Sequence, residues 1–206
     1  MGTINDVLNF SKIEAGKLIL ERTAFGLRAA LARSVVALTS DAQRKGLELT
    51  SVVAPDVPDR LVGDPARLQQ VLANLGGNAI KFTDHGGVHV GVTLVQVTDD
   101  FVEIQFSVDD TGIGIAADKQ DMIFEPFAQA DDFTTRRYGG TGLGLTISAQ
   151  LVRLMDGRLS VESTQDRAAG SPSPPSSGTA RLKRSTGRRP RSNRRSGAPG
   201  PARSCS

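Results

Sequence analysis

The chain has 206 residues, 38% hydrophobic and 23% charged, enough for one sizeable soluble domain with appendages. No apolar run approaches the ~18 residues that span a bilayer, nothing reads as a secretory leader or lipidation signal, and the single cysteine, Cys205, excludes an internal disulfide and a thiolate metal cluster. The net charge of +3 hides an asymmetry: ten of the 25 Lys and Arg, but only one of the 22 acidic residues, lie from Thr164 onward, leaving residues 1–163 at −6. These numbers predict a cytoplasmic protein with no membrane contact from this chain.

In chain order, residues 4–15 predict a helix, with Ile4, Val7, Leu8 and Phe10 apolar and Gly16 placed to end it. Leu18-Ile19-Leu20 fits a short strand. Residues 27–45 predict a helix with Leu27, Leu31, Val35, Leu38 and Ala42 on one face and Gly46 at its stop. Leu47 to Val53 predicts a strand, closed by the proline-bearing APDVPD.

Helix 65–82 carries an unusual pattern. Asp64 caps it, Pro65 sits where a missing N–H costs nothing, and Leu68, Val71, Leu72, Leu75 and Ala79 make one apolar stripe. Asn74, Asn78 and Lys81 stand in line on a second flank at i, i+4, i+7. Carboxamide oxygens suit a hard cation such as Mg²⁺, and an ammonium suits a phosphate. An ordinary amphipathic helix with a solvated polar flank accounts for the same spacing.

Asp84 to Gly87 is a turn. Val88, Val90, Val92 and Leu94, then Val102, Ile104, Phe106 and Val108, alternate along residues 88–97 and 101–109, which predicts an antiparallel hairpin. Helices mixed with antiparallel strands, without a βαβ rhythm, predict an α+β fold with two layers and helices on one sheet face. DDTGIGI, residues 109–115, follows the hairpin directly; its glycines let a ligand come close, and Asp110 can accept from an exocyclic amine. IFEPF at 123–127 precedes a polar stretch. GGTGLGL at 139–145 then opens a helix running to about Met155, an arrangement that can present N–H groups to phosphate. It lacks the strand that leads into a dinucleotide fingerprint and the GK[ST] of a P-loop. Arg158 to Val161 predicts a strand.

The ordered set NLGGNAIKF, DDTGIGI, IFEPF and RRYGGTGLGL resembles the N, G1, F and G2 boxes of the catalytic, ATP-binding domain of sensor histidine kinases. That family belongs to the GHKL superfamily, a two-layer α/β sandwich with a mixed, mostly antiparallel sheet. The resemblance runs from about Ile4 to Ser163. It implies three parts: 1–21 as the end of a dimerisation helix and linker, 22–163 as the ATP-binding catalytic domain, and 164–206 as a disordered basic Ser/Pro/Arg tail.

The resemblance also implies roles. Asn78 holds Mg²⁺, with Asn74 alongside; Lys81 contacts phosphate; Asp110 reads the adenine amine while Gly112 and Gly114 admit the purine. Phe124 and Phe127 anchor a lid over residues ~128–141. Gly140, Thr141, Gly142, Leu143 and Gly144 belong to the phosphate loop, and Arg136 and Arg137 are lid candidates for the γ-phosphate, although a solvated basic pair fits them as well. Asn74 stands where gyrase-type and chaperone-type relatives carry a glutamate that activates water. An amide cannot take a proton, so Asn74, Lys81 and Arg137 make a catalytic set that spares the γ-phosphate for a histidine. The implied partners are ATP, a histidine-bearing dimerisation domain and a response-regulator receiver domain, with a homodimer in the full-length protein.

Three departures stand out. His85 and His89 lack the family's H-E/D-x-[RK]-x-P context, so the chain is expected to be a fragment that binds nucleotide without phosphorylating itself. Gly76-Gly77 interrupts a helix interior, where a glycine costs ~1 kcal/mol against alanine, so weakened stability is expected. From Thr164 the Ser-, Pro-, Gly- and Arg-rich segment replaces the family's last strand, as a frameshift would, which predicts an exposed sheet edge. The tail has no aromatic for base stacking, so no specific nucleic-acid partner is expected. Two other functions remain open: a catalytically silent nucleotide-binding remnant, and a serine kinase of the anti-sigma type, disfavoured by IFEPF and the long lid.

Overall fold

Helix α1, Gly2–Glu14, leads into Gly16, whose left-handed φ of +63° turns the chain. The structure is a computed structural model describing residues 2–127, 142–163 and 176–184, of which 2–6 and 176–184 are described by backbone alone. Leu18-Ile19-Leu20 does not form the expected strand. Leu18 packs against the core while Ile19 is 88% exposed, and among the described strands none pairs with the segment. The first strand is instead β1, Thr23–Gly26, paired antiparallel with β3, Arg60–Gly63.

Helix α2, Leu27–Lys45, follows the expected boundaries and buries Leu27, Leu31, Leu38 and Ala42. Its N-terminus is capped from outside: Leu27 N donates to Asp59 O and Arg28 N to Asp59 Oδ1, both at 2.8 Å. Gly46 ends it at φ +68°, with Leu47 N returning to Ala42 O. Strand β2, Glu48–Val53, pairs parallel with β4, Gly87–Val97. Helix α3, Pro65–Phe82, is capped by Asp64, which accepts from Ala66 N and Arg67 N at 3.1 and 3.0 Å. The other carboxylate oxygen accepts from Glu21 N at 3.1 Å, which ties the segment after α1 to the head of α3.

Strands β4 and β5, Phe101–Asp110, form the predicted hairpin, and Val88, Val90, Val92, Val102, Ile104, Phe106 and Val108 all face the helices. Two short 3₁₀ turns, Ala117–Lys119 and Met122–Phe124, precede helix α4, Gly144–Leu154, and strand β6, Arg158–Leu159. Among the described residues the strands, with β7 at Ser176–Arg184, form one sheet in the order β1-β3-β7-β5-β4-β2, with β6 on β7. One pairing, β2 with β4, is parallel and the rest are antiparallel. Helices α2, α3 and α4 cover one face, giving the α+β two-layer sandwich.

Strand β7, Ser176–Arg184, corrects the expectation for the tail. Eight of its residues pair with β5, from Val108 opposite Ser176 to Phe101 opposite Lys183, and its end also pairs with β3. The edge of β5 is therefore covered rather than exposed. The segment is too polar to predict as a strand, but a ladder is held by backbone groups, and β5 offers a full row of them. Residues 164–175 and 185–206 lie outside the described residues.

At Gly76 the packing is closer than a glycine in a helix interior leads one to expect. This residue is buried on the face of α3 that meets α2, and a Cβ there would stand 2.4 Å from Leu38 Cδ1. The glycine is thus matched to its neighbour rather than a defect in packing. The helices run parallel, since Leu38 meets Gly76 and Lys45 meets Lys81 further along both. Their C-termini consequently arrive at one place.

Candidate functional site

Asn74, Asn78 and Lys81 lie on the half-exposed flank of α3, outside the arc that Leu68, Val71, Leu72, Leu75 and Ala79 bury. Asn74 faces the start of α4. Its Nδ2 donates to Gly144 O and to Ser148 Oγ, each at 3.2 Å, while Ser148 Oγ donates to Gly144 O at 2.9 Å. The glycine-rich segment is therefore bolted to the polar flank of α3 by an amide that sequence 70 residues away provides. Gly142 holds φ +68°, a left-handed conformation that favours glycine. Leu143, 1% exposed, is buried in the core, so its side chain anchors the segment and is not available to a ligand. Leu143, the N-cap residue of α4, gives no side-chain hydrogen bond to the first turn.

Asp110 stands near the C-terminal end of α3. Its Oδ1 accepts from Gly112 N at 2.8 Å, and Ile113 N reaches Phe82 O at 3.4 Å. A Cβ at Gly112 would lie 2.6 Å from Phe82 O, so the close approach that demands glycine here is to the protein's own backbone. Gly114 has φ +71°. Thr111 Oγ1 donates to His85 O and accepts from Gly87 N, which fixes the loop against the start of β4. Further on, Ile115 N donates to Ser163 Oγ and Gln120 Nε2 to Ile115 O and Ser163 O.

Burial raises the Asp110 carboxyl above its usual range; the bond from Gly112 opposes this, the Asp109 charge adds to it and the neighbouring Thr83 hydroxyl opposes it. Thr83 Oγ1 is fully buried and lies beside that carboxyl without meeting hydrogen-bond geometry. A buried hydroxyl in that state marks a place suited to a polar ligand atom or a water. Burial also lowers the Lys81 ammonium from its usual value. Its Nζ lies 4.8 Å from the Phe82 ring centroid.

The last turn of α3 is capped by Lys45. Its ammonium donates to Ile80 O, Lys81 O and Thr83 O at 2.8, 2.7 and 3.0 Å. Lys45, Thr83, Ser148 and Thr111 were not among the residues singled out by sequence. The signal for Lys45 was only a basic residue at a helix end, and its partners lie 35 to 38 residues away.

Phe124 closes the second 3₁₀ turn. Phe127, 64% exposed with φ +62°, sets its ring edge-on to Phe10 of α1, centroids 6.3 Å apart. Gln150 Nε2 of α4 donates to Glu14 Oε1 at 2.7 Å, a second tie to α1. His85 lies in a turn and His89 sits on the sheet with its Nδ1 2.8 Å from Thr50 Oγ1. Arg136, Arg137, Gly140 and Thr141 lie outside the described residues.

Among the described residues no three His, Cys, Asp or Glu side chains gather to hold a metal. The donor chemistry present is one or two carboxamide oxygens beside a lysine, which fits a Mg²⁺ that keeps most of its shell from water and phosphate.

A family profile described as "Histidine kinase-, DNA gyrase B-, and HSP90-like ATPase" matches residues 63–180. The chain is 48% identical over 169 residues to the signal transduction histidine-protein kinase BarA of Escherichia coli, and 46% over 164 residues to the sensor histidine kinase GacS of Pseudomonas protegens. The matches cover 82% and 80% of this chain but 18% of either relative, so the chain spans under a fifth of their length. Full-length ShkA, solved in complex with AMPPNP, superposes with a TM-score of 0.69 at 30% identity, covering 88% of this chain and 34% of that one.

Proposed function

Because the chain belongs to the histidine kinase-, DNA gyrase B-, and HSP90-like ATPase family, we propose that it is the ATP-binding catalytic unit of a two-component sensor histidine kinase. The observation that carries this reading is the convergence on α3. The Gly142–Gly144 segment is bonded to Asn74 at one position, and the Asp110 loop is seated on Phe82 two turns later. A nucleotide laid along that flank would set its adenine amine at Asp110 and its phosphates between Lys81 and the first turn of α4.

In this reading Asn78 holds a Mg²⁺ that arrives with the nucleotide and neutralises phosphate charge. Asn74 keeps its amide on Gly144 and offers no base for water, so the γ-phosphoryl group is spared for transfer. That group passes to an imidazole nitrogen of a histidine on a dimerisation helix, and the departing species is ADP. Receiver domains of response regulators are the expected next acceptors, and the active form is a homodimer built through the region of which α1 is the end. AMPPNP in the ShkA complex and the kinase names of the relatives support this reading. The ATP-binding unit covers residues 22–163 together with strand β7 in this reading.

The test is calorimetric titration of the whole chain with MgATP. Micromolar-range binding is expected, abolished by Asn78→Asp and by Gly142→Val, whose φ of +68° a β-branched residue cannot adopt without strain. Unchanged affinity in both variants removes the assignment. Mixing with a separately expressed dimerisation domain should then yield acid-labile phosphohistidine on that partner.

A further inference from the structure

The last four carbonyls of an α-helix have no partner within it. In α3 all of them are accounted for. Ala79 O accepts from Thr83 N, Ile80 O and Lys81 O accept from Lys45 Nζ, and Phe82 O receives Ile113 N. Lys45 Nζ takes Thr83 O as well. One ammonium thus grips the carbonyls on both sides of Phe82 and leaves that one to the Asp110 loop.

We propose that Lys45 is a positioning residue of the nucleotide site, fixing Lys81 and the Asp110 loop relative to one another through the last turn of α3. The proposal rests on the site reading given above and extends it to a residue on a different helix, touching no ligand itself. Three features make the grip specific. Lys45 is the final residue of α2, and Gly46 breaks that helix directly after it, so the stem of Lys45 leaves at a fixed point. The parallel run of α2 and α3, set by Leu38 against Gly76, brings both C-termini to that point. Two negative helix ends therefore meet one ammonium, which donates to three carbonyls.

Consequences follow for each side of the site. Lys81 supplies one of the gripped carbonyls, so the backbone from which its ammonium reaches the phosphates is held. Thr83 supplies another, which keeps its buried hydroxyl beside Asp110. Phe82 O lies between them and bears the contact with Gly112 and Ile113. Without the ammonium the turn frays, and the spacing between phosphate and adenine contacts loosens. Arginine in the same place keeps the charge and offers several N–H donors, though in a flat fork.

The experiment compares the parent chain with Lys45→Met and Lys45→Arg. Titration with Mg-AMPPNP is expected to show affinity about tenfold weaker in Lys45→Met, with Lys45→Arg recovering most of it. Amide hydrogen exchange, read without nucleotide, is expected to speed up at Thr83, Gly112 and Ile113 in Lys45→Met while the amides of the β4–β5 ladder keep their parent rates. Unchanged affinity, unchanged exchange at those amides, or equal acceleration across β4 and β5 each overturns the proposal, the last by showing plain loss of stability. If the parent itself binds no Mg-AMPPNP, the kinase reading fails, and the exchange pattern still reports whether Lys45 holds the loop.

Discussion

Asn74 Nδ2 lies 3.2 Å from Gly144 O, joining the polar flank of α3 to the first residue of α4. The amide end that faces this carbonyl must be a donor. Asn74→Asp would set a carboxylate oxygen against it and is expected to cost about 1–3 kcal/mol of stability. Urea unfolding should show a lower midpoint with an unchanged slope. Asn74→Asp and parent curves that coincide would mean the bond does not hold α4 in place.

Gly76 and Gly77 are neighbours with opposite surroundings. A Cβ at Gly77 meets nothing within 4 Å, whereas one at Gly76 meets Leu38. Gly77→Ala is expected to stabilise by up to about 1 kcal/mol, the helix propensity difference. Gly76→Val is expected to destabilise by about 1–3 kcal/mol through overpacking, and to cost less when made in a Leu38→Ala background. Thermal melts of the parent, the three single variants and the double variant check this; strict additivity in the double variant would contradict the contact.

Gly112 is held by backbone. Its hypothetical Cβ lies 2.6 Å from Phe82 O and 2.8 Å from Asp110 Oδ1. Gly112→Ala must move either the end of α3 or the carboxylate. The expected result is a loss of nucleotide affinity of at least about tenfold, with a smaller loss of stability. Retained affinity would place the adenine contact elsewhere.

The Asp110 carboxyl titrates above its ordinary value chiefly because it is buried. The folded chain therefore holds this proton more tightly than the unfolded chain. Its contribution to stability is full below the ordinary carboxylate pKa and is lost as pH rises through the raised one. Asp110→Asn removes that loss and can still accept from Gly112 N. Melting temperatures from pH 4 to pH 7 should show the variant gaining on the parent as pH rises, while it binds nucleotide more weakly. A variant that falls behind the parent over this interval would reverse the assignment of cause.

Most of the layer of helices was legible because it is written locally. The caps Asp64 and Gly46 and the stripes of α2 and α3 fix their boundaries within a turn. The β4–β5 hairpin declares itself through strict alternation. What escaped depends on distant partners. Arg60–Gly63 carries only Leu61 and Val62 as a signal and is a strand because β1 and β7 lie beside it. Ser176–Arg184 is a strand because β5 has a side to cover. The motifs singled out Asn74, Asp110 and Gly142, but not Lys45, whose contacts exist only once two helices end together.

The position of β7 bears on how the chain is made. It lies between β3 and β5, so it is the sole bridge among the described strands from the β1–β3 pair to the rest of the sheet. Among the described strands it is the one a ribosome delivers last. Until about residue 184 has emerged, the nascent molecule carries two unjoined half-sheets, and a stop codon before Ser176 would leave them so.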